Sequence, residues 1–393
     1  MKKWLSGLLS LVMICAMFSA SADVLYDVGK EMYDAQRYEE ALAVWTEAAE
    51  NGEMAAAEGL GDLYSLEESG MQDYAKAAAW YQQAAEAGSA YAMDWMGYCY
   101  ANGLGVEQDD QAAKEWYEKS AAAGRAYAMG QLGTIYRDGR GVDPDYKAAM
   151  EWYQKAAEAG SGYAMEQIAH LYRDGFGVEV DYQKVAEWYG KAFEAGQVCA
   201  GEHLGDLYRD GKNLEQDYAA AMECYRKAAE TGSTYSMEKI GDLYREGKGV
   251  DQDDVKAAEW YQKAADAGST YVLEWLALFY ADGRGGLAQD NQTAWNQFQK
   301  AAEAGSSYAM EQLGNFCRDG RLGEADPVKA AEWYEKAAAE GRGYAMEQLG
   351  NFCRDGLGME ADLEKAAEWY RKAVEAGVES AQEKLDQLKN AAE

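Results

Sequence analysis

Glycine closes an Ala/Glu-rich stretch at Gly52, Gly88, Gly124, Gly160, Gly196, Gly232, Gly268, Gly305, Gly341 and Gly377, at steps of 36 residues with a single step of 37. A period of this size marks stacked supersecondary units, none of which buries its apolar face alone. Within one unit, Tyr163 to Tyr172 shows apolar residues at helical spacing, and a second helical stretch runs from Tyr182 to Glu194. Each unit is therefore predicted to be a helical hairpin. The whole chain carries 2 prolines, Pro144 and Pro327, with 48% hydrophobic residues, which fits an all-α chain and excludes a large β-sheet core.

The punctuation between helices has physical causes. An Asp precedes each second helix, at Asp73, Asp109, Asp145, Asp181, Asp217, Asp253, Asp290, Asp326 and Asp362, where its carboxylate meets free N–H groups and the positive end of the helix dipole. These aspartates read as caps rather than catalytic acids. Pro327 follows Asp326 at the first helical position, where the missing N–H costs nothing. The loops read Gly-x-Gly-Val, as in Gly139 to Val142 and Gly247 to Val250, with glycines for positive φ and an inward apolar plug. Asn213 stands for the second glycine in one repeat and tolerates the same conformation. The motif is read as a turn, not a phosphate cradle.

These residues resemble a family. Leu-Gly-x-x-Tyr, then Arg-Asp-Gly-x-Gly-Val, Asp and Lys-Ala-Ala-Glu-Trp-Tyr-x-Lys-Ala-Ala-Glu-x-Gly, seen almost throughout from Leu132 to Gly160, is similar to the Sel-one-like repeat, a relative of the tetratricopeptide repeat. The resemblance covers residues 53–377 as nine units and implies a right-handed α/α superhelical solenoid. Residues 23–52 lack the loop extension and look like an ordinary tetratricopeptide hairpin capping the N-terminal end, while residues 378–393 supply a C-terminal capping helix.

The first residues differ from the rest. Lys2 and Lys3 precede an apolar run from Trp4 to Phe18 and then Ser19 to Ala22, the pattern of a cleaved export signal over residues 1–22. The mature chain is expected to begin near Asp23, exported to the periplasm or secreted, with no membrane insertion after cleavage. Ile14 before Cys15 disfavours lipid anchoring.

Binding residues are sought on the first helices, which line the concave face in tetratricopeptide-like packing. Five residues before the Leu of Leu-Gly stand Tyr91, Tyr127, Tyr163, Tyr235, Tyr271, Tyr308 and Tyr344. Two before it stand Glu166, Glu202, Glu238, Glu274, Glu311 and Glu347, and five after it Arg137, Arg173, Arg209, Arg245, Arg318 and Arg354. Two readings stay open: a Tyr/Glu/Arg ladder facing a groove, or tyrosines packed on the preceding helix with arginines paired to nearby acids. Trp95 and Trp275 replace Gln131, Gln167 or Gln312 at a polar place and are candidate contacts. Trp80, Trp116, Trp152, Trp188, Trp260, Trp333 and Trp369 share one second-helix place and are expected to be buried between repeats. The seventh hairpin holds the extra residue and moves its tryptophan to Trp295, where a specialised surface is expected.

Cysteine and histidine offer less. Cys317 and Cys353 lie in successive repeats, too far apart for a bridge at helix spacings of about 8–10 Å. Cys199 and Cys224 replace aromatics within one hairpin, where a disulfide is one option. With His203 they imitate three zinc ligands, but no motif supports a fourth, so no metal, cofactor or catalytic residue is assigned. His170 reads as an ordinary polar surface residue.

A formal charge of -32 repels phosphate backbones and excludes nucleic acid as a natural partner. The resemblance implies a non-enzymatic adaptor that binds a protein or peptide, and the charge suits a basic one. Binding of a glycan or peptidoglycan fragment by exposed aromatics is the alternative. A β-lactamase-like hydrolase, implied only by cysteine-rich relatives, lacks a matching motif. The sequence leaves oligomeric state open.

Overall fold

The computed structural model describes residues 22–392, so the leader reading lies outside the described residues. Among them every regular element is helical. The chain divides into two compact units, the first ending at Ala200 and the second opening at Gly201.

In the first unit, helices Ala22–Asp34 and Tyr38–Glu50 form a hairpin closed by a short turn at Gln36, whose φ is +59°. Hairpins Met54–Ser65 with Tyr74–Glu86, Ala90–Asn102 with Asp110–Ala122, Ala126–Asp138 with Tyr146–Glu158, and Gly162–Asp174 with Tyr182–Glu194 follow. In the second unit the complete hairpins are Thr234–Glu246 with Asp254–Asp266, Leu273–Asp282 with Asn291–Glu303, Ser307–Arg318 with Pro327–Ala339, and Gly343–Asp355 with Leu363–Glu375, before a last helix Glu379–Ala392.

Every second-helix Asp forms the cap expected of it. At all nine positions, including Asp217 before the further helix Tyr218–Glu230, the carboxylate accepts one or two backbone N–H groups of the first turn, as at Asp109 from Gln111 and Ala112. This bonding holds the carboxyls of Asp73, Asp253, Asp326 and Asp362 below their ordinary range, and the Thr293 hydroxyl does the same for Asp290. Asn213 takes φ +63° in its loop.

The core corrects the expectation about tryptophan. The side chain buried most deeply in the second helices is the tyrosine after it, or after Cys224 in one repeat: Tyr81, Tyr153, Tyr225, Tyr261, Tyr334 and Tyr370 are each 0% exposed. Trp116, Trp152, Trp188, Trp260, Trp333 and Trp369 are half-buried, each with the lysine three residues on lying 3.9 to 4.3 Å above its ring. The indole face thus packs on the helix inside and carries a cation outside.

The tyrosine fits because the first helix lacks a side chain opposite it. A methyl group added at Gly133 would lie 2.6 Å from the Tyr153 ring, and one at Gly241 2.5 Å from Tyr261. The Gly of Leu-Gly is therefore a socket for the tyrosine ring.

Candidate partner-binding site

The three sets of first-helix residues proposed for the ladder have separate roles. The glutamates lie at joints between repeats. Ser233 donates to Glu202 at 2.5 Å and Ser380 to Glu347 at 2.5 Å, while Ser269 and Ser306 donate to Glu238 and Glu274. Ser233 and Ser306 cap the next repeat's first helix and Ser380 lies in the first turn of the last helix, while Ser269 lies in the turn before helix Leu273–Asp282. Glu311 is 5% exposed and ion-paired with Arg342 at 2.7 Å, so its assignment as an open contact residue is corrected: a buried carboxylate needs its cation and has one within the chain. Glu166 is half-buried.

The arginines pair with the carboxylate next in sequence. Arg137 meets Asp138 at 2.6 Å, Arg173 meets Asp174, Arg209 meets Asp210 and Arg318 meets Asp319 at 2.7 Å, and Arg245 meets Glu246 at 2.6 Å. Several also turn back to the core tyrosine, as Arg245 does to the Tyr261 hydroxyl at 2.9 Å.

The tyrosines keep one edge in solvent, and the hydroxyls of Tyr91, Tyr163, Tyr235 and Tyr344 reach the preceding repeat. Tyr91 donates to Asp62 at 2.8 Å and Tyr235 to Asp206 at 2.8 Å, and Tyr163 shares a bond with Thr134 at 3.0 Å. Burial and the Asp206 carboxylate push the Tyr235 hydroxyl up to about 12. Tyr127 and Tyr271 are the most open of the set, at 44% and 52%, with Tyr163 and Tyr344 also exposed and Tyr308 half-buried.

Both candidate tryptophans are half-buried. Trp275 lies under the Arg245 guanidinium at 4.1 Å. Trp95 stacks on Tyr81 with ring centres 5.2 Å apart and planes 2° from parallel, and meets Tyr98 edge-on at 5.5 Å.

Around Trp95 the aromatic face opens into a cleft of about 320 Å³ lined by Tyr91, Asp94, Trp95, Tyr98, Arg125 and Tyr127. Its charged pair is fixed: Asp94, 3% exposed, accepts Ser120 at 2.5 Å and Arg125 at 2.7 Å. Sequence reasoning found Tyr91, Trp95 and Tyr127 but missed Asp94 and Arg125, which stand where other repeats have the glutamate and the opening serine. That register was the available signal. Cys199 and Cys224 are free thiols, the first exposed and the second half-buried. No described helix is long and apolar enough to cross a membrane.

Regular hairpins keyed by a tyrosine socket, with one aromatic face left open, define a helical repeat protein. The Sel1 repeat model matches residues 55–89, 90–124, 126–161, 162–197, 203–233, 234–269, 273–306, 307–341 and 343–378, and the chain belongs to the Sel1 repeat family. A protective antigen present in uropathogenic Escherichia coli strains, displaying an SLR fold, is 34% identical over 94% of this chain and 80% of its own, with a TM-score of 0.66. A Sel1 repeat protein from Oxalobacter formigenes is 28% identical over 78% of this chain and 89% of its own, with a TM-score of 0.62. A search of curated proteins gives no match.

Proposed function

We propose that this protein is an exported, non-enzymatic scaffold whose first-helix aromatic face binds a protein or peptide. The carrying observation is the cleft formed by Tyr91, Trp95, Tyr98 and Tyr127 beside Arg125. Tyrosine, tryptophan and arginine are the residues that dominate interface energetics, and here they converge on one concavity. The charge of -32 favours a basic partner. Export is supported by the leader-like Lys2 to Ala22 and agrees with the similarity to a protein described as a protective antigen.

A pull-down from envelope extract with the chain beginning at Asp23 tests the reading. A recovered protein whose capture falls several-fold with Tyr127→Ser, a change at an exposed ring, supports it. Capture unchanged by both Tyr127→Ser and Trp95→Ala, or binding only on a glycan array, overturns it.

A further inference from the structure

Three repeats carry an aspartate two residues after the Leu of Leu-Gly, at Asp62, Asp206 and Asp242. Each accepts the hydroxyl of the core tyrosine of its own hairpin, from Tyr81 at 2.7 Å, Tyr225 at 2.6 Å and Tyr261 at 2.7 Å. In two of them the carboxylate also has a cation: Arg209 lies 2.8 Å from Asp206, and Arg245 and Lys239 lie 3.3 and 3.6 Å from Asp242. Asp62 differs. Ser65 stands in the arginine's place and Gly59 in the lysine's, and among the described residues no lysine or arginine pairs with Asp62.

Where the cation is missing, the surface is hollow. A second cleft, of about 420 Å³, opens beside Asp62, and its walls include Tyr33, Tyr74, Tyr91, Trp95 and Tyr98. Among the described residues Asp62 is the single charged side chain lining it. A carboxylate that lines a cleft together with aromatic rings attracts a cation twice, by direct charge and through the electron-rich ring faces. Burial holds the Asp62 carboxyl above its ordinary range, the behaviour of a carboxylate short of a counter-charge.

We infer that the cleft beside Asp62 takes the guanidinium of an arginine side chain presented by the bound partner, which supplies from outside the cation that Arg209 and Arg245 supply within their own repeats. The inference rests on the partner-binding reading above and names the chemistry of one contact. A guanidinium fits better than an ammonium because the two intrachain precedents nearest their carboxylates are arginines, and a planar cation stacks on aromatic faces.

The test uses the chain beginning at Asp23 with indole nitrogens labelled, and acetyl-Gly-Arg-Gly-amide as the probe. A saturable shift of the Trp95 indole N–H with this peptide is expected, at least about tenfold weaker or absent with the neutral citrulline analogue. Asp62→Asn and Ser65→Arg each abolish it. Both variants should fold, since Asn315 and Asn351 accept the same tyrosine bond at 2.8 and 2.9 Å elsewhere, and Arg209 and Arg245 occupy the position of Ser65. An equal response to the citrulline peptide, or an arginine response that survives Asp62→Asn, overturns the inference. If the wild-type chain still captures a partner from envelope extract in that case, the scaffold reading stands alone; if it captures none, that reading falls as well.

Discussion

A glycine on one helix and a tyrosine on the next form a single device. The tyrosine ring fills the space a methyl group would take, and its hydroxyl bonds the side chain two places beyond the Leu, as Tyr261 bonds Asp242 at 2.7 Å. Gly241→Ala should cost about 1–3 kcal/mol through overpacking, read as a lowered thermal midpoint. Ala169 and Ala277 hold this place in two repeats, so the change is costly rather than prohibitive. The device was only half legible in the sequence. Leu-Gly and Trp-Tyr both announced themselves, but the larger tryptophan drew the expectation of burial between repeats, and nothing in helical spacing says which of two adjacent aromatics points at a glycine some 20 residues away. Asp62 gives a second test at this scale. Its carboxyl is raised in the fold by burial, so the folded state favours the protonated form, and the stabilising contribution is complete below the unfolded value and disappears as pH rises through the folded one. Asp62→Asn should therefore match or exceed the wild-type midpoint at pH 7, with the gain shrinking as pH falls towards about 4.

Helix ends show the same economy. The aspartate caps were readable because donor and acceptor lie within three residues of each other. The serine and glutamate joints were not, because the partners lie 31 to 33 residues apart in different hairpins, and the glutamates were placed in a groove instead. Ser306 caps the Ala309 N–H at 2.9 Å and also donates to Glu274. Ser161 caps Ala164 at 3.2 Å, and the place of the glutamate in the preceding repeat is taken by Gly130. Ser306→Ala should accordingly destabilise more than Ser161→Ala, which loses about 1 kcal/mol for the cap alone. Chemical unfolding of the two variants, with Glu274→Gln closing a double-mutant cycle, separates the cap from the joint. Equal losses would show that the joint contributes nothing.

On the scale of the chain, the repeat was the most legible feature, because a period of 36 residues survives changes at any one position. The aromatic clefts were less so, since they arise where repeats depart from their own pattern. Ser65 in place of an arginine and Trp95 in place of a glutamine are each unremarkable alone and informative only as departures. Removing one full unit, Thr234 to Ser269, should leave helical signal and a cooperative transition, whereas removing 18 residues puts unlike helices in register and should abolish cooperative unfolding. The joints also give the second unit a mechanical character. Pulled from its C-terminal end, it meets Ser380 on Glu347, Arg342 on Glu311, Ser306 on Glu274 and Ser269 on Glu238 in series. Ser380 and Ser306 sit at the start of the very helix under load, so at those two joints anchorage and helix fail together. Each rupture frees close to 36 residues, or roughly 120 Å of slack at ~3.3–3.6 Å per residue, and tension drops before the next joint is loaded. Such a chain dissipates force in nearly equal steps and yields to shear from one end without breaking all at once.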